Sequence, residues 1–307
     1  MRGFTFIPAE TKYRFIKLRW FGFALSVLAI LGTIFVLSTR GLNLGIDFAG
    51  GILMEVRTEE TADLAAFRSA LAVPELGEVS LQTFGDDREV LIRVELSDEV
   101  EQAEQVIKVR ALLDEAFPKL EYRKVDYVGP TVGQELIESG TMALLIALGG
   151  ILLYVWFRFE WQFGMGAVVA LVHDAFLILG FYAVSGFDFG LTSIAAMLTV
   201  IGYSINDSVV IYDRIRENMR KYKKKPMEEI LDLSINNTLS RTVITALTTL
   251  LAAGALTWLG GEVIRGFSAA LVFGVAVGTY SSIFVAAPVL LYFQIRREDD
   301  EADADRS

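Results

Sequence analysis

Apolar residues in this chain are not interleaved with polar ones at the spacing of amphipathic helices or half-buried strands. They collect into runs of about 20 residues, the length an α-helix needs to cross a ~30 Å hydrocarbon core. Six such runs, Leu18–Ser38, Ile137–Phe157, Phe163–Val184, Phe189–Tyr212, Thr242–Leu259 and Phe267–Phe293, each predict a transmembrane helix. The first follows Lys12, Arg14, Lys17 and Arg19, as a secretory signal would. It is longer than a signal-peptide core and runs into Thr39-Arg40-Gly41 without a small-residue cleavage pattern, so it predicts a retained helix.

Between the first two runs the pattern changes to that of a water-soluble domain, 41–136. It predicts strand Ile52–Arg57, helix Ala62–Leu71, strands Val79–Phe84 and Glu89–Glu95, helix Val100–Phe117 and strand Glu121–Tyr127. Alternation in Val90-Leu91-Ile92-Arg93-Val94-Glu95 suits a half-buried strand, and Val106, Val109, Leu112, Leu113 and Phe117 make one helical face. The order βαββαβ is the ferredoxin-like arrangement. The expected fold is therefore a polytopic α-helical membrane protein with six transmembrane helices and a ferredoxin-like α+β extracytoplasmic domain between helices 1 and 2.

Charge orients this layout. The segment 213–241, read as a basic loop, carries Arg214, Arg216, Arg220, Lys221, Lys223, Lys224 and Lys225, and the positive-inside rule puts it in the cytoplasm. Six spans then leave the N-terminus (1–17) and the acidic tail (294–307) inside and the 41–136 domain outside. The net charge of −10 resides mainly in that domain and in the tail, which reads as a solvated end. The chain has no cysteine, which excludes disulfides and thiolate chemistry, and only one histidine, His173, which excludes a histidine-rich metal site from one copy. No G-x-x-x-x-G-K-[ST] loop occurs, so any ATP hydrolysis lies elsewhere.

An ionisable residue inside a span costs a few kcal/mol even on insertion-based scales, and so marks a functional candidate. Span four carries Ser204, Asn206 and Asp207, with Asp213 at its inner end; span five opens with Arg241; span three has the adjacent pair His173-Asp174. Asp207 and Arg241 enter their spans from the same side and are expected at similar depth. A buried carboxylate that either pairs with an arginine or takes up a proton is what a proton relay requires, whereas a permanent pair would only fix packing. For His173-Asp174, adjacent on a helix and some 100° apart, hydrogen bonding between helices and proton relay remain equal readings. Gly202-Tyr203-Ser204-Ile205 has the start of a G-x-S-x-G elbow, but Asn206 stands where the last glycine belongs, so proteolysis through His173 is disfavoured. Asp174 with Asp207 as an aspartyl pair lacks the expected flanking motifs. Asn236-Asn237-Thr238, in a cytoplasmic segment, is no glycosylation acceptor. Gly149-Gly150, Ala252-Ala253-Gly254-Ala255 and Gly274, Ala276 and Gly278 read as helix packing.

Three stretches resemble the SecF branch of the SecD/SecF family: Leu44-Gly45-Ile46-Asp47-Phe48-Ala49-Gly50-Gly51 after span one, Val128-Gly129-Pro130-Thr131-Val132-Gly133-Gln134-Glu135-Leu136 before span two, and Gly202 to Asn218 followed by Asn236-Asn237-Thr238-Leu239-Ser240-Arg241-Thr242. The resemblance covers about residues 12 to 297. It implies one six-span half of a twelve-span unit of the resistance-nodulation-division superfamily in the bacterial inner membrane, with SecD as the other half. It also implies association with the SecYEG channel, SecA acting upstream, and use of the proton-motive force on an emerging preprotein. Partners so implied are SecD, the channel, preprotein, protons and the lipid bilayer, with no nucleic acid, cofactor, metal or enzymatic activity. By the same resemblance Asp207, in its pair with Asn206, and Arg241 belong to the proton pathway; His173, Asp174 and Asp213 are secondary candidates from their places in or beside the spans alone. Gly45, Asp47, Gly50, Gly51, Gly129 and Pro130 form the domain junction, its glycines permitting tight turns and Asp47 capping or bonding the turn. Two alternatives stay open: a proton-driven exporter of small molecules or lipids, against which a domain of about 95 residues argues, and a non-transporting support for SecD and the channel.

Overall fold

The structure, a computed structural model, describes residues 11–73, 76–77, 79–84, 86–95 and 102–293. The acidic tail, the first ten residues and the start of the second domain helix at Val100 lie outside the described residues. Among the described residues six helices are long and apolar enough to span a membrane, within Ile16–Arg40, Val132–Arg158, Trp161–Ser185, Leu191–Lys221, Met227–Leu259 and Val263–Tyr292. We label the helices α1 (Arg19–Arg40), α2 (Ile46–Ala49), α3 (Leu64–Ala70), α4 (Gln102–Ala116), α5 (Pro130–Arg158), α6 (Trp161–Ser185), α7 (Leu191–Lys221), α8 (Met227–Leu259) and α9 (Glu262–Ser281). The strands are β1 (Gly51–Arg57), β2 (Val79–Phe84), β3 (Asp86–Val94) and β4 (Glu121–Val128). Beyond α9 the chain makes a π turn, Ser282–Ala286, then short helical pieces to Tyr292.

Two boundaries differ from those the hydropathy suggested. The segment 213–241 is not a loop: α7 runs on to Lys221, α8 starts at Met227, and only 222–226 connect them. These extensions are amphipathic, and Ile215, Ile230, Leu231 and Ile235 on them continue the apolar core of the bundle that holds Phe163, Ile201 and Ile211. The hydrocarbon thickness limits the apolar run, not the helix. Likewise α5 begins at Pro130, so 130–136 form the first turns of the helix that carries span two rather than an end of the domain. Proline suits a first helical position, where its missing N–H has no partner to lose.

The domain is ferredoxin-like. Its sheet order is β2-β3-β1-β4, all neighbours antiparallel. Alternate residues Ile52, Met54 and Val56 of β1 and Val90, Ile92 and Val94 of β3 point to one face, where α3 and α4 cover them with Phe67, Leu71, Val109 and Leu113. Phe67 stacks on Phe117 at 4.1 Å between ring centres. Asp63 starts α3 by accepting from Ala65 N at 2.8 Å.

In the bundle, α6, α7 and α9 are central, with 56, 44 and 50% of their apolar windows buried, against 17, 11 and 17% for α1, α5 and α8. The latter three are peripheral. α7 and α9 run parallel and meet in a four-residue ladder: Gly274 against Val200, Gly278 against Ser204, Ser282 against Ser208, and Ala286 against Tyr212. A Cβ on Gly274 would collide with the Val200 side chain, and one on Gly278 would stand 3.0 Å from Ser204 Cβ, so the glycines set the spacing.

Candidate functional site

Asp207 lies on α7, sixteen residues from its start at Leu191, about 24 Å down the helix at 1.5 Å per residue. Arg241 lies eighteen residues before the end of α8 at Leu259, about 27 Å from the same side. The expected common depth holds. The expected contact does not: no ion pair joins them among the described residues. Arg241 is exposed on the open side of the bundle, and its neighbour Thr242 turns inward to donate from Oγ1 to Asp207 Oδ1 at 2.5 Å. Asp207 Oδ2 is buried without a hydrogen-bond partner among the described residues. Arg241 stands beside the Thr242 donor on the same turn of α8. Asn206, beside Asp207, faces outward.

Outward-facing polar residues recur around this point. Thr199, Gly202 and Asn206 follow one another on α7, and Arg241, Thr245 and Thr248 on α8, each at the three- and four-residue spacing of a single face. The Thr199, Thr245 and Thr248 hydroxyls donate to carbonyls of their own helices, which leaves Asn206 and Arg241 as the outward-facing groups of the strip that lipid chains cannot satisfy.

His173 and Asp174 are both enclosed, 4% and 0% exposed, and bonded to each other, Nδ1 to Oδ1 at 2.9 Å. Asp174 also ties helices together, accepting from Ser204 Oγ of α7 at 2.5 Å and Ser281 Oγ of α9 at 2.7 Å. Hydrogen bonding between helices, one of two readings of this pair, is present. Asp213 does not join the buried group: it pairs with Arg158 at 2.7 Å where both are over 40% exposed.

The junction motif closes on an unexpected partner. Gly50 and Gly51 take φ of +72° and +119°, and a Cβ on Gly51 would lie 2.7 Å from Val94 O, so this turn needs glycine. Asp47 does not cap its own turn. Its Oδ2 accepts from Leu191 N at 2.9 Å, the first residue of α7. Around it Gly45 N donates to Phe189 O and Phe189 N to Asn43 O. Arg93 of β3 holds Asp188 at 2.6 Å and also reaches Asn43 and Leu44. Gly129 precedes the first turn of α5, and Gly133 packs on the Asp47 and Phe48 carbonyls. The domain is thus fastened to the start of the helix that carries Asp207.

Thr242, Ser281, Ser282, Arg93 and Asp188 are the contributors that the pattern did not single out. Short hydroxyl side chains inside apolar runs give no periodic signal, and Arg93 and Asp188 are separated by 95 residues. Asn236 of the Asn-Asn-Thr stretch acts locally. Its amide bonds Tyr13 on both sides, donating to Tyr13 O at 2.7 Å and accepting from Tyr13 N at 2.9 Å, which pins the segment ahead of α1 to α8.

Residues 108–296, more than half of the chain, match the family model for the protein export membrane protein SecD/SecF, C-terminal, and residues 35–62 match the SecD/SecF GG motif. The chain belongs to the SecD/SecF family. Among curated proteins it is 49% identical over 292 residues to the protein translocase subunit SecF of Rickettsia akari, covering 95% of each, and 50% identical over 288 residues to that of Rickettsia bellii, covering 94% of this chain and 95% of that one. These full-length matches put it on the SecF side of the family. Among solved structures it resembles the SecDF of Thermus thermophilus, a translocon-associated membrane protein (TM-score 0.84, 37% identity, 94% of this chain), and a SecDF in a super-membrane-facing form (TM-score 0.69, 37% identity, 96% of this chain). It spans 40% of the length of either SecDF chain, so it corresponds to one part of that larger unit.

Proposed function

We propose that this chain is a SecF-type subunit which, with SecD, uses the proton-motive force to assist preprotein export through the SecYEG channel after SecA has acted. It is a transport subunit rather than an enzyme. The observation that carries the proposal is Asp207: a buried carboxylate at mid-span that accepts one hydrogen bond, from Thr242, and whose other oxygen has no hydrogen-bond partner among the described residues, next to an outward-facing arginine. That arrangement suits a proton acceptor better than a packing element, because a structural carboxylate in hydrocarbon needs all its oxygens satisfied.

In this reading the strip Thr199, Gly202, Asn206, Arg241, Thr245 and Thr248 receives helices of SecD, whose own carboxylate answers Arg241 across the interface. The basic stretch at the end of α7 and in the 222–226 connection lies in the cytoplasm of an inner-membrane protein by the positive-inside rule, with both termini inside and the domain outside. A proton crossing 100 mV releases roughly 2.3 kcal/mol, enough to bias a two-state motion. Neutralising Asp207 weakens its hold on Thr242 and frees α7 to shift against α8. Because Asp47 holds the start of α7 and Arg93 holds Asp188, a shift of α7 moves the outer domain as well.

The test is export in cells depleted of their own SecF and complemented with this chain and its SecD. Asp207→Asn is expected to leave the protein in the membrane with SecD while slowing preprotein maturation to the level of the depleted strain. Maturation at the wild-type rate would defeat the proposal and favour a supporting role without transport.

A further inference from the structure

Asp174 has no part in the cycle just described, yet its carboxylate is fully enclosed in the bundle. Its carboxylate gathers donors from three helices: His173 Nδ1 on its own helix, Ser204 on α7 and Ser281 on α9. A carboxylate is accepted in an apolar interior when several donors converge on it. The site therefore ties α6, α7 and α9 together at one level.

That level adjoins Asp207. Ser204 precedes Asp207 by three residues and Ser208 by four, so both lie one turn further along the same helix. A second tie follows directly, Ser208 Oγ with Ser282 Oγ at 2.9 Å, and Ser282 also donates to the Ser204 carbonyl at 3.4 Å. Ser281 and Ser282 are sequence neighbours serving the two ties. Between them α9 gives way to the π turn Ser282–Ala286, which leads to Pro288. Pro288 has no N–H to donate one turn back, which loosens the helical ladder where the turn widens. A single π turn inside a span, bracketed by hydroxyl ties, is an element able to take two arrangements.

We infer that Asp174 is a positioning residue for the proton site: through Ser204 and Ser281 it fixes α7 against α9 at the start of the π turn, and so sets where Asp207 stands relative to Thr242 and Ser282. The inference deepens the proton reading of Asp207 and rests on it. The charged or titratable groups around Asp207 are Arg241 beside Thr242 on α8, its side chain outward, and, through Ser204, Asp174 with His173 from α6. From α7 and α9, Tyr212 and Tyr280 are engaged with the Ala286 and Gly22 carbonyls.

The experiment measures gradient-stimulated export into inverted vesicles holding the full chain with its SecD, across a range of pH, against the ATP-driven export that remains without a gradient. Ser281→Ala removes one donor and leaves Asp174 its other two; Ser281→Thr keeps the hydroxyl. Ser281→Ala is expected to move the pH of half-maximal stimulation by about half a unit or more and to leave the gradient-independent export unchanged. Ser281→Thr is expected to restore the wild-type profile. Asp174→Asn, where it accumulates, is expected to move the profile further. A wild-type profile for Ser281→Ala overturns the inference, and so does a shift that Ser281→Thr fails to rescue. Asp207→Asn runs in parallel: if it retains gradient stimulation, the proton reading itself fails, whereas loss there together with an unmoved Ser281→Ala profile defeats only the role of Asp174.

Discussion

Gly51 and Asp47 stand four residues apart and illustrate two kinds of legibility. A glycine pair after a span announces a turn, and the structure supplies the reason at Gly51, where positive φ coincides with the approach of Val94 O. Gly51→Ala is expected to destabilise the domain by about 1–3 kcal/mol, read as faster amide exchange in β1 and β3 of the whole chain. Asp47 was legible as a junction residue, but not its partner, because a cap acceptor 144 residues away in sequence leaves no local trace. Asp47→Ala is expected to cost about 1 kcal/mol of stability, the usual loss of a helix cap, and to raise exchange at the first turn of α7. Glu55, on the open side of β1, has its carboxyl raised above the ordinary value by burial, with Lys124 opposing. A raised folded value means the folded chain holds this proton more tightly than the unfolded one. That contribution is present below the ordinary pKa and is lost as pH rises through the folded value. Glu55→Gln should therefore slow exchange in β1 relative to wild type at pH 7 and make little difference at pH 4; equal effects at both would contradict this account.

Among the elements, the six spans were legible because a hydrocarbon slab imposes one length on every helix that crosses it. The extensions of α7 and α8 were not, since their mixed polar and apolar faces resemble a loop to a hydropathy reading while Ile215, Ile230 and Ile235 continue the apolar core of the bundle. The α7–α9 ladder was half visible. Gly274 and Gly278 read as packing residues, but their partners Val200 and Ser204, and the continuation of the same spacing through Ser282–Ser208, needed three dimensions. Gly274→Leu has no room against Val200 and is expected to push α9 from α7, at a cost of about 1–3 kcal/mol. The measurement is the midpoint of thermal unfolding of the purified chain; an unchanged midpoint would mean that the two helices are not held by this contact.

For the whole molecule, the open polar strip on α7 and α8 and the 40% share of a SecDF chain point the same way, to a unit that is completed by a second set of spans. The chain lacks cysteine, so Asn206→Cys gives a single thiol. It is expected to crosslink to cysteines placed on the spans of SecD, while Phe35→Cys on the apolar outer face of α1 does not; the reverse pattern would move the interface elsewhere. The central claim is that Asp207 couples proton entry to export. Its most direct test is translocation of a reporter preprotein into inverted vesicles that hold this chain with its SecD, as wild type or Asp207→Asn, with and without a proton gradient. The account predicts that the gradient accelerates export only in wild-type vesicles and that the two are equal without it. Equal acceleration in both would make Asp207 a structural residue and contradict the account.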